Sequence, residues 1–384
     1  MRVHPRCMQG FSLIELMVAL TLGLLLMAML GALFVDVSRA NREMARVNDR
    51  VEGARLAMQL LRDDLQHAGY WGGFVPEFDD LDFDAAPSDV PVVIPDPCAP
   101  YVGWDAEHIQ SLIGVAVQSH ASTSGSCTLI RGRVEHSDVL VVRHADTCAT
   151  TQTGCATEVA GKVYFQPSRC AFEIERGIHH VLAATGLELH ARQCTDGVAV
   201  SGAAAPRFRY ISNLYYVRDW AVTEGDGIPT LVRSAFDTAA GVPAQQPAVP
   251  LVEGIEALRI EIGVDHLGSS GGEVITATDP TGRYTAAIAW GDALKRRSPL
   301  NRGDGTPDAF VHCAGDCSVD QFANTVAVRI HLLARAIERT PGYVDGATYR
   351  LGDLTLGPFN DGFGRHVFSG TVRLPNVAGR RETP

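Results

Sequence analysis

The sequence predicts an α+β chain, one long N-terminal helix followed by an antiparallel β-sheet domain, and three observations carry that prediction. From Phe11 to Val35 the chain is apolar apart from a single ionisable side chain, Glu15. From Leu33 to Ala68 apolar residues recur at alternating spacings of four and three on an otherwise charged segment, which is the period of a helix. Beyond Pro100 the pattern becomes short runs of β-branched and aromatic residues bounded by Gly, Pro or Asp, the composition of strands.

The apolar run is about 25 residues long, where roughly 20 suffice for one helical crossing of a bilayer. Its N-terminal flank, Met1 to Gly10, is basic through Arg2 and Arg6. Basic flanks stay in the cytoplasm, so the chain after Val35 is expected to be exported. A secretory signal carries its small-residue cleavage site after the apolar core. Here the distinctive junction, Gly10-Phe11, comes before it, and a cut there would remove the leader and keep the membrane helix. The expected organisation is therefore a leader at 1–10, a transmembrane helix at 11–35, its amphipathic continuation at 36–70 and a β-rich globular domain at 71–384.

The continuation carries its seam on Leu33, Val37, Ala40, Met44, Val47, Val51, Ala54, Met58, Leu61, Leu65 and Ala68, with Arg39, Arg42, Glu43, Arg46, Asp49, Arg50 and Arg55 on other faces. No proline occurs between Pro5 and Pro76, so one helix of on the order of 85 Å is expected from Phe11 to Ala68. The seam fits either a coiled-coil dimer or packing against the chain's own domain. Gly69-Tyr70-Trp71-Gly72-Gly73 should end the helix, and the Pro- and Asp-rich stretch to Pro100 should run as a linker.

Strands are expected at Val139–Arg143, Ala171–Arg176, Phe208–Arg218, Thr230–Ser234, Leu258–Val264, Val326–Leu333 and Val367–Leu374, with a hairpin joining Phe208–Arg218 to the run after Pro229. Ala239–Pro250 and Gly268–Gly272 read as loops, and about 279–318 as an insertion with little strand pattern.

The formal charge is −11, and loss of the leader would remove two further positive charges. That acidity disfavours nucleic acid as a partner. The clusters Lys295-Arg296-Arg297 and Arg380-Arg381 read as solvated loops. Of nine cysteines, Cys7 lies in the leader, and Cys98, Cys127, Cys148, Cys155, Cys170, Cys194, Cys313 and Cys317 remain. An even count in an exported domain reads as disulfides. Proximity in sequence pairs them as Cys98–Cys127, Cys148–Cys155, Cys170–Cys194 and Cys313–Cys317. Zinc at His312, Cys313 and Cys317 is the rival, and it lacks a second ligand pair at finger spacing.

No phosphate-binding glycine loop, dinucleotide fingerprint, zinc-protease motif or nucleophile elbow is present, so no catalytic residue and no cofactor is expected. His179-His180 reads as a hairpin-turn pair. Asn301, Asp304 and Asp308 supply oxygen ligands around a glycine. They lack the regular spacing and closing glutamate of a calcium loop, so calcium is the lesser reading and no metal the main one.

Gly10-Phe11-Ser12-Leu13-Ile14-Glu15, with its short basic leader and apolar helix, resembles the prepilin signal of type IV pilins and type II secretion pseudopilins. The resemblance implies cleavage by a prepilin peptidase between Gly10 and Phe11, N-methylation of Phe11, and an assembly role for Glu15 toward a neighbouring subunit's N-terminal amine. It also implies that the helix packs on its own domain. Ala68-Gly69-Tyr70-Trp71-Gly72, Tyr215-Tyr216-Val217-Arg218, Leu231-Val232-Arg233, Leu251–Glu256, Val326–Arg335 and Phe368–Asn376 narrow the resemblance to the PilW family of minor pilins. This implies a structural, non-enzymatic subunit of a pilus initiation or tip complex, serving twitching motility and adhesion. The implied location is the inner membrane with a periplasmic domain, then the pilus. Implied partners are other minor pilins, the major pilin, a large tip adhesin and the inner-membrane assembly platform. A J-like pseudopilin of type II secretion, or a ligand-binding module displayed on a pilus, are the alternatives.

Overall fold

A computed structural model describes residues 12–76, 91–121, 127–196, 200–267, 271, 303–315 and 317–381. One unbroken helix, α1 (Leu13–His67), opens the described chain. It starts where Ser12 caps it and stops where Gly69 takes a positive φ of 73°. A side chain at Gly69 would be strained there and would also meet Val377, 2.9 Å from an added Cβ.

The first sheet has eight strands, and its ladders are all antiparallel. After α2 (Ala106–Gly114) come β1 (Val117–His120), β2 (Val139–Ala149) and β3 (Tyr164–Pro167), then α3 (Ala171–Ile174) and β4 (His180–Ala183). A side ribbon of β5 (His190–Thr195) and β6 (Ser201–Ala204) leads to β7 (Phe208–Arg218), β8 (Thr230–Ala239), β9 (Val242–Gln245) and β10 (Val249–Glu253). Strand β7 lies at the centre, pairing β2 on one side and both β3 and β8 on the other.

The second sheet takes β11 (Ile255–Val264), β12 (Ala309–Val311), β13 (Thr325–Arg335) and β16 (Arg365–Arg373) in the order β12-β11-β13-β16, again antiparallel. Helix α4 (Val319–Ala323) precedes β13, a ribbon of β14 (Tyr349–Leu351) and β15 (Leu354–Leu356) precedes β16, and α5 (Pro375–Ala378) closes the described chain. Alternation along the strands turns Leu140, Val142, Tyr215 and Val217 of the first sheet, and Leu258, Ile260, Val328, Ile330 and Leu332 of the second, into one core with α1. Ala54, Ala57, Leu61, Leu65 and Ala68 close it from the helix side, all fully buried. The second half of the seam therefore packs on the chain's own domain.

Five expectations change. Ala171–Arg176 is not a strand: Cys170 is tied to Cys194, and the Glu173 carboxylate turns inward to Ser168 and His190, which curls 171–174 into a helical turn. Ala239–Pro250 is not a loop, because Ala240 and Gly241 both take positive φ and make the tight turn that folds β9 back on β8. His180 is not in a turn. It begins β4 opposite Pro167, with its ring against Phe74 and Phe165. The insertion contributes a strand, since 309–311 pair with Ile262–Val264, while 279–302 lie outside the described residues. Arg381 is no solvated side chain; it is buried, and donates to the carbonyls of Asp265 and Ala323 and to Asn324 Oδ1.

Candidate assembly site

The site expected from sequence begins at the processing junction, and Gly10 and Phe11 lie outside the described residues. Immediately after them Ser12 takes an extended conformation as N-cap of α1. Its hydroxyl accepts from the Glu15 N–H at 3.3 Å, and its own N–H donates to Glu15 Oε2 at 3.0 Å. This reciprocal capping box satisfies two of the amides that a helix start leaves open, and it places a carboxylate where the helix dipole favours negative charge. The acid in the apolar run is thus tied to its own backbone at the helix tip. Ser12-Leu13-Ile14-Glu15 has the spacing of such a box in the sequence itself, set inside a run whose apolar character reads first as a membrane helix.

From Leu13 to Val37 every side chain of α1 is exposed in the isolated chain, and that stretch is long and apolar enough to cross a membrane. The helix is then seated in the domain by polar contacts that the sequence reading missed. Asp64, beside the buried seam, accepts from Tyr215 Oη at 2.9 Å and from Asn213 Nδ2 at 3.1 Å, and lies 3.1 Å from His144 Nε2. Burial, with the Asp64 charge beside it, pushes the Tyr215 phenol well above its usual range. At the helix end Asn376 Nδ2 lies 3.2 to 3.3 Å from the carbonyls of Gln66, His67 and Ala68, covering acceptors the last turn leaves open. The Gly69 N–H donates to the Arg143 carbonyl, and the Ala145 N–H to the Tyr70 carbonyl, so the chain leaves the helix along β2. Trp71 then enters the interior, stacked on Tyr210 and tilted against Phe165. No sequence spacing links 64 to 213 or 67 to 376, which is why these partners were invisible before the fold was known.

The eight cysteines form four bridges in the structure, Cys98–Cys127, Cys148–Cys155, Cys170–Cys194 and Cys313–Cys317. The last consumes both sulfurs of the zinc alternative. His312 turns instead to Asp138, 3.2 Å away, whose other oxygen accepts from the Ile260 N–H. Asn301 lies outside the described residues. Asp308 Oδ2 accepts from the N–H groups of His266 and Leu267, both at 2.8 Å. Asp304 contributes its N–H, not its carboxylate, to Asp265, which also accepts from Gly305 N–H at 2.8 Å. Burial raises the Asp265 carboxyl, opposed by the Arg381 guanidinium 3.7 Å from it. The cation facing this acidic turn is therefore an arginine of the chain, and the described residues include no cluster of His, Cys, Asp and Glu able to hold a metal ion.

A second buried arginine organises the far side of the second sheet. Arg365 Nη1 donates to Asp345 at 2.8 Å and to Asp361 at 2.7 Å, its Nη2 donates to Glu256 at 3.0 Å, and its guanidinium lies over the Phe359 ring. Burial works to lower its pKa, but the bonds to Asp361, Glu256 and Asp345 outweigh that and raise it. Three carboxylates around one arginine make a structural knot, to which Tyr349 Oη adds a bond to Asp345 at 2.8 Å.

Comparison with known proteins gives two family matches. The family described as Type IV Pilus-assembly protein W matches residues 214–376, and the Prokaryotic N-terminal methylation motif matches residues 5–31. No curated protein matches the chain. Among solved structures, a type IV-like pilin from Thermus thermophilus is similar over 63% of this chain and 78% of its own, at 14% identity and a TM-score of 0.24.

Proposed function

We propose that this chain, whose residues 214–376 match the PilW family and whose residues 5–31 match the N-terminal methylation motif, is anchored in a membrane by its N-terminal helix and serves as a minor pilin in the initiation or tip complex of the type IV pilus. The leader is cut between Gly10 and Phe11, Phe11 is N-methylated, and the subunit waits in the inner membrane with its domain in the periplasm. Other minor pilins, the major pilin and a large tip adhesin are its partners, and piliation, twitching and attachment are the traits it serves.

The observation that carries this reading is Glu15 at the head of an exposed apolar helix, held by the Ser12 N–H at 3.0 Å. A carboxylate within a bilayer costs roughly 2.5–3.5 kcal/mol on insertion scales. The capping box lowers that cost while the subunit is alone, and leaves Glu15 Oε1 free of a hydrogen bond within the described residues. The amine of a neighbouring processed subunit is the matching cation, and in low dielectric the pair would fix the register of docking. A subunit that opened the fibre would need no such acid, so another subunit lies on the tip side of this one.

Glu15→Leu tests the reading. The variant is expected to insert and be cleaved, as shown by intact mass, yet to co-purify poorly with the other minor pilins and to lower piliation. Normal piliation and normal co-purification would remove Glu15 from that contact. A mature chain that still carries Arg2 and Arg6 would remove the pilin processing itself.

A further inference from the structure

The buried guanidiniums of the domain are not all neutralised alike. Arg365 is ringed by Asp345, Asp361 and Glu256, Arg259 takes Asp353 at 2.8 Å, and Arg381 faces Asp265. Arg143, on β2, is 0% exposed and meets no carboxylate among the described residues. Its Nη1 donates to the Val115 carbonyl at 3.1 Å and to Gln118 Oε1 at 2.7 Å, while its Nε and Nη2 are buried without a partner. Gln118 is turned to serve it, since the amide Nε2 donates to the Pro95 carbonyl at 3.1 Å. An arginine does not shed its proton, so a full charge stays inside the protein.

Further unpartnered groups stand beside that charge. Burial raises the Tyr210 phenol, opposed by the Arg143 guanidinium next to it, yet Tyr210 Oη completes a well-formed hydrogen bond with neither Arg143 nor Ser212. The Trp104 ring lies edge-on to Tyr210 at 5.8 Å and 5.6 Å from His108, and the indole Nε1 and His108 Nε2 are again buried without partners. Burial, with the Arg143 charge adding to it, holds His108 below its ordinary 6.5 and so keeps the ring neutral. Trp71 closes the side, stacked on Tyr210.

We propose that Arg143, Tyr210 and Trp104 hold a small monovalent anion of the halide class, enclosed between the first sheet and α2. The chemistry of the open groups favours an ion over a water molecule. A buried water needs acceptors for its two hydrogens, whereas Arg143 Nε and Nη2 and Trp104 Nε1 can only donate. A halide only accepts, and it supplies the single negative charge that a lone buried guanidinium requires. Multivalent anions carry more charge than one arginine matches. Enclosure points to a free ion: Arg143 and Tyr210 are 0 and 2% exposed, so a carboxylate fixed to another chain does not reach them, while an ion enters by local opening. The site also bears on the helix. The Arg143 carbonyl accepts from the Gly69 N–H where α1 ends, and the Ala145 N–H donates to the Tyr70 carbonyl. A bound anion therefore stiffens the joint at which α1 meets β2.

Chloride titration of the full chain in non-ionic detergent, with gluconate holding the ionic strength constant, tests the site through thermal unfolding followed by tryptophan fluorescence. The parent is expected to gain stability along a saturating curve as chloride rises from about 1 to about 300 mM. Arg143→Met should remove that dependence, and Arg192→Gln, at an exposed arginine on β5, should keep the parent's curve. Where Arg143→Met does not fold, Tyr210→Phe decides: it keeps the ring and should raise the half-saturating chloride by roughly tenfold, the scale of one hydrogen bond to a charge. Crystals grown in bromide should carry its anomalous signal within hydrogen-bond reach of Arg143 Nη2. A parent no more stable in chloride than in gluconate, or a chloride dependence unchanged in Tyr210→Phe or retained in Arg143→Met, would overturn the assignment. So would a water at that position in bromide crystals, or a bromide signal with no chloride dependence in solution, which would mark an adventitious ion only.

Discussion

From Leu13 to Val35 α1 is apolar on every side and exposed on every side, whereas from Ala54 to Ala68 it is apolar along one seam and that seam is sealed. Both stretches belong to one unbroken helix. Among the described residues nothing packs against the first, which is long and apolar enough to cross a membrane. The second carries Ala54, Ala57 and Ala68 among its contact residues, small enough for two sheets to approach the backbone, with Leu61 and Leu65 filling the space between. Between them, Val37 and Met44 remain 49 and 68% exposed. Apolar character alone therefore does not say what a helix face will touch. Its width, the size of its residues and the polar groups at its margin do.

The sharpest way to break this comparison is to truncate one leucine on each side of it. Leu61→Ala is expected to cost the domain about 3–4 kcal/mol, since the side chain is fully buried between sheets that cannot collapse into the space. Leu25→Ala, on the lipid-facing stretch, should leave unfolding of the domain unchanged. Denaturant unfolding of the full chain in micelles reads both, and equal effects would mean that the two stretches share one environment.

Acid offers the next test. Burial, reinforced by the His179 charge, pushes His180 down to about 4 from its ordinary 6.5. The unfolded chain therefore takes up a proton near pH 6.5 that the folded chain refuses until about pH 4. This contribution to stability is fully present above 6.5, is lost as pH falls through that window, and is level below it, a change of up to roughly 3 kcal/mol. His180→Phe, which keeps a ring against Phe74 and Phe165, should flatten that part of the pH profile. The effect belongs to the domain and should leave the membrane segment untouched.

At the polar margin of the seam, Asp64→Asn should cost about 2 kcal/mol, the scale of hydrogen bonds to a charged group. It should also lower the Tyr215 phenol toward its ordinary range, because the neighbouring charge is one cause of its rise. Spectrophotometric titration of Tyr215 against a Tyr215→Phe blank separates this from simple loss of stability. The smallest effect is expected at the helix end, where Asn376→Ala removes the amide near the last carbonyls at a cost of about 1 kcal/mol. Hydrogen exchange should show that loss confined to the final turn of α1.

By itself the sequence determined the single helix, its membrane-competent first half, the strands Phe208–Arg218, Leu258–Val264 and Val326–Leu333, and the match to the N-terminal methylation motif. Each rests on a local property: an uninterrupted apolar run, a period of 3.6 or 2, or a motif of six consecutive residues. Strands of three to five residues escaped it. β9 and β10 carry Pro243 and Pro250, and their pairing depends on a turn at Ala240-Gly241 that composition disguises as a loop. The tertiary structure alone decided that the seam meets its own domain rather than a second helix, because that choice depends on which faces two sheets leave apolar. It also decided the fate of charges. Arg381 looked solvated beside Arg380, yet it is buried against Asp265, more than a hundred residues earlier. Asp64, one of two adjacent aspartates on the helix, became the acceptor for Asn213 and Tyr215 because β7 passes beneath it. A charge is worth burying only where distant chain supplies its partners, and sequence spacing does not record distance of that kind.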